Sequence, residues 1–147
     1  MRAEYLLAVS RLHKAVAAAC EHGLLGQDLF GYIVTTGRIL YHFHTSSMSR
    51  RAKGLDAIAP EGFVQVHPAT AVELGVEDGE FITSVSRRGR VSTRVMVTPG
   101  IGRRVVFMPF HFAESAANIL TNPALDPVAK IPQLKVCAVW LEKTPTS

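Results

Sequence analysis

The feature that most constrains the fold is a succession of short β-branched segments, separated by glycine and proline turns, which begins at Phe30. Residues 63–67 alternate apolar and polar side chains, and residues 81–86 and 91–97 flank an Arg88-Gly89 turn, which predicts a β-hairpin. Further strands are predicted at 31–35, 105–108 and 135–141. Pro68 opens a short helix that Gly75 closes. The pattern therefore predicts a mainly β fold with short helices, closed into a compact barrel.

Composition narrows the class of protein. The 147 residues suffice for one domain with a core, and a hydrophobic content of 48% excludes a disordered chain. The net charge of +4 favours an anionic partner. No aromatic residues interleave with the basic ones as a base-stacking surface requires, so no nucleic-acid partner is predicted. No stretch approaches the roughly 20 uninterrupted apolar residues of a membrane span, and we expect a cytoplasmic protein without a membrane partner.

The cysteines exclude several site types. Cys20 and Cys137 form no CxxC pair and have no histidine pattern nearby, so the sequence encodes no iron–sulfur cluster or structural zinc site. A reduced compartment suits them, although a disulfide stays open. No Ser-His-Asp or Cys-His grouping and no isolated carboxylate pair is present, and no catalytic residue is predicted.

The first residues follow a different pattern. Tyr5, Val9, Leu12, Val16 and Cys20 recur at helical spacing within 4–22, and Gly23 follows as a stop. We divide the chain into an N-terminal amphipathic helix with a linker, 1–27, and a β-barrel domain, 28–147. The apolar stripe of the helix either packs on its own domain or docks a partner.

The loop after the first strand has the composition of an anion site. At Thr36-Gly37-Arg38 a glycine lets main-chain N–H groups approach a diphosphate, and the guanidinium of Arg38 suits phosphate oxygens. Thr45 adds a hydroxyl. An ordinary polar turn is the alternative.

Two histidines follow in the same loop. His42 and His44 would point the same way in an extended segment, which is also the spacing of a two-histidine metal site. Because no cysteine or carboxylate accompanies them, no metal ligand is predicted, and hydrogen bonding to a polar ligand is the preferred interpretation. A solvated or structural histidine pair stays open. His67, before Pro68, is interpreted as a capping or packing residue.

Three later residues are candidates for ligand contact. His111 is of interest because it follows the end of a strand at Met108-Pro109. The amide of Asn118 suits the edge of a purine or pterin, and an asparagine that only caps a helix or turn fits nearly as well. Lys135 could contact phosphate, although the residues alone favour a surface lysine.

A series of motifs in a fixed order carries a family resemblance. They are Thr36 to Thr45, Met48-Ser49-Arg50-Arg51, Val64 to Pro68 with Leu74 to Gly79, Ser86-Arg87-Arg88-Gly89, Phe107 to Glu114, Asn118 to Pro127, and Lys135 to Val139. Through them, residues 31–143 strongly resemble the C-terminal molybdopterin-dinucleotide-binding domain of the molybdenum or tungsten oxidoreductases. Catalytic subunits of formate dehydrogenases are the most similar, and periplasmic-type nitrate reductases come next. The resemblance implies a double-psi β barrel.

The resemblance also implies a set of cofactor contacts. The first loop would lie along the cofactor, and three later positions match further contacts; together these residues are Thr36, Gly37, Arg38, Ile39, Leu40, Tyr41, His42, Phe43, His44, Thr45, Phe110, Asn118 and Lys135. Two residues depart from the family pattern. Ser46 stands where a glycine is usual, and its Cβ would crowd a close backbone approach; Ser49 replaces a threonine.

The implied cofactor is bis-molybdopterin guanine dinucleotide with molybdenum or tungsten, shared with a partner chain. The family's iron–sulfur cysteines, its metal-ligating cysteine or selenocysteine and its two central domains have no counterpart in the sequence. We therefore expect a chain that is non-catalytic by itself and caps a cofactor held by a large catalytic subunit. Two alternatives stay open: a stand-alone carrier or chaperone of the dinucleotide, and a β-barrel adaptor that binds proteins through its N-terminal helix.

Overall fold

The computed structural model describes residues 31–144, so the predicted helix at 4–22 and Cys20 lie outside the described residues. The strands are β1 (Tyr32–Gly37), β2 (Phe63–Val66), β3 (Phe81–Val85), β4 (Arg90–Val97), β5 (Val105–Pro109) and β6 (Val136–Lys143). Two short helices, α1 (Lys53–Ile58) and α2 (Pro68–Leu74), join them. Single 3₁₀ turns occur at Ser49–Arg51, Ala113–Ser115 and Ala117–Ile119.

The strands form a closed barrel in the order β1-β5-β2-β4-β3-β6. Two pairs are parallel, β1 with β5 and β2 with β4, and the remaining pairs are antiparallel. Because parallel neighbours cannot be joined by a tight turn, each parallel pair requires a connection that crosses an end of the barrel. The mainly β class, the short helices and the double-psi barrel are confirmed.

The interior of the barrel is apolar. Strand β4 alternates buried and exposed residues along its length, as expected when one face packs on the core and the other meets solvent. Strand β1 is instead buried at every position from Tyr32 to Thr36. Ala117 and Leu120, in the connection after β5, are also fully buried and belong to the same core cluster. The part of this connection that contains Ala117 and Leu120 is thus packed on the barrel, whereas residues 123–133 are exposed.

Helix α2 begins and ends through local chemistry that its sequence encodes. The His67 ring accepts a hydrogen bond from the Ala69 N–H at 3.1 Å, so this histidine is the helix cap that the sequence suggested. Pro68 occupies the first turn, where its missing N–H leaves no unmade bond. Gly75 ends the helix in a left-handed conformation with φ of 62°.

The two ends of the barrel differ in what covers them. The carboxyl ends of β1 and β5 meet at one end, where β6 begins and the β3–β4 hairpin turns. The long connections 38–62 and 110–135 cover this end, and together with hairpin residues 86–89 they are called the loop end below. Helix α2 and the turn 98–104 lie at the opposite end.

Gly37, the last residue of β1, is in close contact with its parallel neighbour. A Cβ built on Gly37 would lie 2.5 Å from Cε2 of Phe107, a separation that side-chain carbons do not tolerate. The sequence suggested that this glycine admits a diphosphate. The structure shows a second reason for a glycine at this position, because the Phe107 ring fills the space that a Cβ would occupy.

We predict that Gly37→Ala lowers the free energy of unfolding by about 1–3 kcal/mol, the usual effect of overpacking. Gly54→Ala in α1 is a matched control, because no atom lies within 4 Å of a Cβ built there. The control is expected to stabilise by up to about 1 kcal/mol through helix propensity. Urea unfolding of both variants measures the difference, and equal effects would contradict the packing argument.

Candidate functional site

Every residue predicted to contact a cofactor lies at the loop end, although three separate regions of sequence supply them. Thr36 and Gly37 end β1, and residues 38–45 follow them directly. Phe110 follows β5, Asn118 lies in the 3₁₀ turn Ala117–Ile119, and Lys135 immediately precedes β6. The parallel pairing of β1 and β5 is what brings the first two regions together.

Direct contacts join the three regions. The Phe110 N–H donates to the Gly37 carbonyl at 3.2 Å, which extends the β1–β5 pairing by one bond. Lys135 Nζ donates to the Thr36 carbonyl at 3.1 Å and lies 5.7 Å from the centre of the Phe110 ring. Thr36 Oγ1 in turn donates to the Leu134 carbonyl at 2.6 Å. The Lys135 ammonium is therefore held at the junction of the strands.

The first loop is folded back on itself rather than extended. His44 and Ser46 have positive φ values of 46° and 62°, so the backbone turns twice within three residues. As a result His42 is buried and His44 is exposed, and their side chains do not share a direction. Among residues 31–144, no group of three or more His, Cys, Asp or Glu side chains could hold a metal ion.

His42 has both ring nitrogens bonded inside the protein. Nε2 donates to the Ala59 carbonyl at 2.7 Å, and Nδ1 accepts from the Ser49 hydroxyl at 3.0 Å. The Ser49 oxygen also accepts from the Phe43 N–H at 3.2 Å. A threonine at 49 would offer the same hydroxyl. In this arrangement the His42 ring fixes the shape of the loop and has no nitrogen left for a ligand.

The His111 ring joins the two long loops beneath the candidate site, and the predicted contact set does not include it. Its ring is 1% exposed; Nε2 accepts the Ile39 N–H at 2.9 Å, and Nδ1 donates to the His44 carbonyl. Since Nε2 accepts, the ring must be neutral with its proton on Nδ1. Burial lowers its pKa, as do the neighbouring His42, Arg38 and His44, whereas the bond to the His44 carbonyl opposes the shift. The only sequence signal was its place after a strand.

An ion pair also connects the two long loops. The Arg50 guanidinium lies 2.9 Å from Glu114 Oε1 and 3.3 Å from Asp56 Oδ1. It also lies over the Phe112 ring, 5.4 Å from the ring centre. Because both carboxylate side chains are close to half exposed, this cluster contributes modestly to stability.

The surface above these contacts carries hydrogen-bond donors that have no acceptor within the described residues. Arg38 and Lys135 are exposed, and within the described chain neither has a carboxylate within 4 Å. The backbone N–H groups of residues 40, 41, 44 and 45 bond to no acceptor in residues 31–144. Two cations beside several free amides form a surface suited to an anion such as a diphosphate.

Asn118 adds a polar group to this surface. The residue is exposed, and its backbone carbonyl accepts from the Thr121 N–H and hydroxyl at 3.3 and 3.1 Å. Its side-chain amide makes no hydrogen bond within residues 31–144, so it does not cap the turn in which it lies. Both the donors and the acceptor of the amide are free for a ligand.

Two concavities of the barrel lie away from these residues. One is lined by Ala69, Val72, Glu73, Arg103 and Arg104 at the opposite end. The other lies within the second long loop and is lined by Ala124, Leu125, Asp126, Ala129, Ile131 and Gln133. None of the predicted contact residues lines either one. Neither concavity therefore belongs to the candidate site.

Ser46 is the strained point of the first loop. Its φ of 62° lies in the region that favours glycine, its side chain is fully buried, and its Oγ has no hydrogen-bond partner in the described chain. The serine therefore carries both a conformational and a desolvation penalty. This explains in physical terms why a glycine suits the position.

We predict that Ser46→Gly raises the free energy of unfolding by about 1 kcal/mol, because it relieves both penalties. Ser46→Ala separates them, since alanine removes the unpaired hydroxyl and keeps the left-handed backbone. Thermal unfolding of the wild type and the two variants gives their order of stability. A glycine variant less stable than the alanine variant would contradict the backbone argument.

The fold and the loop end together define a class, a double-psi barrel domain whose loop end carries exposed cations, unpaired backbone amides and an unpaired asparagine amide. Residues 32–138 match the sequence profile of the family described as "Molydopterin dinucleotide binding domain". The chain belongs to this molybdopterin dinucleotide-binding domain family. The resemblance inferred from the motifs is confirmed.

Relatives with curated names support the same assignment. The chain is 52% identical over 110 residues to "F420-dependent formate dehydrogenase 1 subunit alpha" of Methanococcus maripaludis, covering 75% of this chain and 16% of that protein. It is 46% identical over 114 residues to "F420-dependent formate dehydrogenase subunit alpha" of Methanocaldococcus jannaschii, covering 78% and 17%. The "Assimilatory nitrate reductase catalytic subunit" of Bacillus subtilis is 37% identical over 107 residues, covering 72% and 15%. The predicted order, formate dehydrogenase before nitrate reductase, is confirmed.

A solved structure agrees on the fold. Acetylene hydratase from Pelobacter acetylenicus superposes with a TM-score of 0.69 at 17% identity, covering 83% of this chain and 19% of that one. At this low identity the superposition shows only that the two proteins share a fold. Like the relatives above, this protein is several times longer than the chain. Within the described residues, no helix is long and apolar enough to cross a membrane.

Proposed function

We propose that this chain binds the guanine-dinucleotide part of a bis-molybdopterin cofactor carrying molybdenum or tungsten, and caps that cofactor in an oxidoreductase of the formate dehydrogenase type. One observation supports this most directly. Residues from three regions of sequence, each matched to a family contact position, converge at the loop end.

The chemistry of that surface fits the dinucleotide. Arg38 and Lys135 supply positive charge for the diphosphate, and the free amides of the first loop supply directional donors. The Asn118 amide can pair with the edge of the guanine or the pterin. His44, whose side chain is exposed, offers a further imidazole, whereas His42 shapes the loop. When bound, the metal of the cofactor supplies the redox chemistry; this chain's residues bind and orient the nucleotide.

The loop end also has the surface of a domain that is covered by a partner. Large apolar side chains are strongly exposed there, among them Leu40 at 86% and Val128 at 88%. The others are Tyr41, Phe43, Met48, Leu55, Ile58, Ile119, Leu125 and Ile131. Only Val72, Phe81 and Met96 are comparable elsewhere on residues 31–144. We infer that a large catalytic subunit, which carries the iron–sulfur and metal-ligating domains, buries this end together with the cofactor.

A complementation experiment tests the capping role. A formate dehydrogenase alpha subunit lacking the segment that matches this chain is coexpressed with the full chain, and the purified protein is analysed for guanine nucleotide and for molybdenum or tungsten. We expect a stable complex that retains cofactor better than the truncated subunit alone. If the proteins do not copurify and the truncated subunit retains cofactor equally well without the chain, the capping role is wrong. Dinucleotide binding by the chain without any partner would instead favour a carrier.

We predict that Arg38→Ala and Lys135→Ala each lower the affinity of that complex for the cofactor by about tenfold or more, the effect of losing one charge-assisted hydrogen bond. Arg103→Ala is the control, because it removes the same charge from an exposed residue at the opposite end. Guanine nucleotide content after graded washing measures retention. A control that loses as much cofactor would show that net charge, and not the site, is responsible.

A further inference from the structure

One buried ring holds the segment of the first loop that the proposed site uses. The two nitrogens of His111 bond to Ile39 and to His44, so they fix both ends of the stretch 39–44. Leu40, Tyr41, His42 and Phe43, all predicted contacts, lie between those bonds. The ring belongs to the second loop, 72 residues further along the chain than Ile39.

We propose that His111 is a positioning residue for the cofactor: its neutral ring holds residues 39–44 in the binding conformation, and protonation of the ring releases them. This inference rests on the function proposed above and deepens it. It makes cofactor retention dependent on pH through a residue that does not itself contact the ligand.

Only the neutral ring can make both bonds. The Ile39 N–H is a donor and requires a lone pair on Nε2, while the His44 carbonyl requires the proton on Nδ1. An imidazolium carries protons on both nitrogens. Protonation would therefore set the N–H of Nε2 against the N–H of Ile39 and leave a partly buried backbone donor unpaired.

The surroundings of the ring oppose its protonation. The first loop presents Arg38, His42 and His44 to it, and the His42 ring centre is 6.0 Å away. From the second loop, Phe110 and Phe112 flank it at 4.9 and 6.3 Å. Two carboxylates on these loops, Glu114 and Asp56, are paired with Arg50 instead.

The sign of the pH effect follows from these contacts. The pKa of His111 is lowered from its ordinary value of 6.5 when the loop is closed on it, with burial as the largest cause. When the loop is open, the ring is hydrated and titrates near that ordinary value. The closed form is thus fully favoured above about pH 6.5 and is progressively lost as the pH falls below it.

The first measurement uses the full 147-residue chain without ligand. Nitrogen-15 NMR at pH 7.5 is expected to show His111 with its proton on Nδ1, and amide exchange is expected to be slow at Ile39. In His111→Phe, which has no acceptor, exchange at Ile39 should accelerate about tenfold or more. In His111→Gln, whose carbonyl can replace Nε2 as an acceptor, protection should be partly restored. Unchanged exchange at Ile39 in both variants would overturn the positioning role.

The second measurement uses the complex with the truncated alpha subunit and follows the rate of guanine nucleotide loss between pH 5.5 and 8. Loss from wild type is expected to accelerate several-fold below pH 6.5. The glutamine variant should show a flatter profile, and the phenylalanine variant should lose cofactor quickly at every pH. His67→Gln is the matched control, because His67 also accepts a backbone N–H but lies at the opposite end.

The two measurements separate this inference from the function on which it rests. If the wild-type complex retains cofactor and all variants share its pH profile, the role of His111 is wrong while the proposed function stands. If the wild-type complex holds no cofactor at any pH, the proposed function is wrong, and the link from His111 to cofactor retention falls with it. Exchange at Ile39 then still decides whether the ring orders the loop.

Discussion

The parallel pairing of β1 with β5 is the interaction on which the loop end depends. It places the starts of the two long connections side by side, so that Phe110 bonds to Gly37 and the His111 ring reaches Ile39. Neighbouring parallel strands cannot be joined by a hairpin, and the chain between them must be long. The barrel therefore has two large adjacent loops at one end, with the remaining strands as a fixed support below them.

Buried polar groups, together with the apolar packing of Ala117 and Leu120 on the barrel, give these loops a defined shape. Thr36, His42 and His111 are all buried, and each bonds to a backbone group in another part of the loop end. An unmade bond at such a position costs about 1–3 kcal/mol, which is enough to select one arrangement among many. The same arrangement leaves several outward-facing amides unused, so order within the loop and availability to a ligand have a common origin.

Local patterns predicted most of the strands and α2, because each carries its own signal: alternation in β4, a turn between β3 and β4, and Pro68 with Gly75 around the helix. Helix α1 was not predicted. It buries no residue, and its sequence therefore has no periodic pattern of apolar residues. The motifs indicated where a site would lie, and both that site and its contact residues stay a prediction.

The geometry of the first loop could not be predicted in the same way. The sequence favoured a ligand contact for His42 and left a structural role open. The bonds of His42 to Ser49 and Ala59 depend on turns at positive φ, and at Ser46 the residue type does not predict such a turn. The role of His111 depends on a hydrogen bond between residues 72 positions apart, which no local sequence pattern can reveal. Both features arise from the tertiary structure.

Strand directions have a consequence for how such a domain can be attached to other proteins. Strand β1 starts, and strand β6 finishes, at the end of the barrel that also carries α2. A fusion, tag or surface tether introduced before Gly31 or after Thr144 would consequently emerge on the far side from Arg38 and Lys135. Covalent linkage at either point would therefore begin at the end of the barrel opposite the surface that we propose faces the nucleotide.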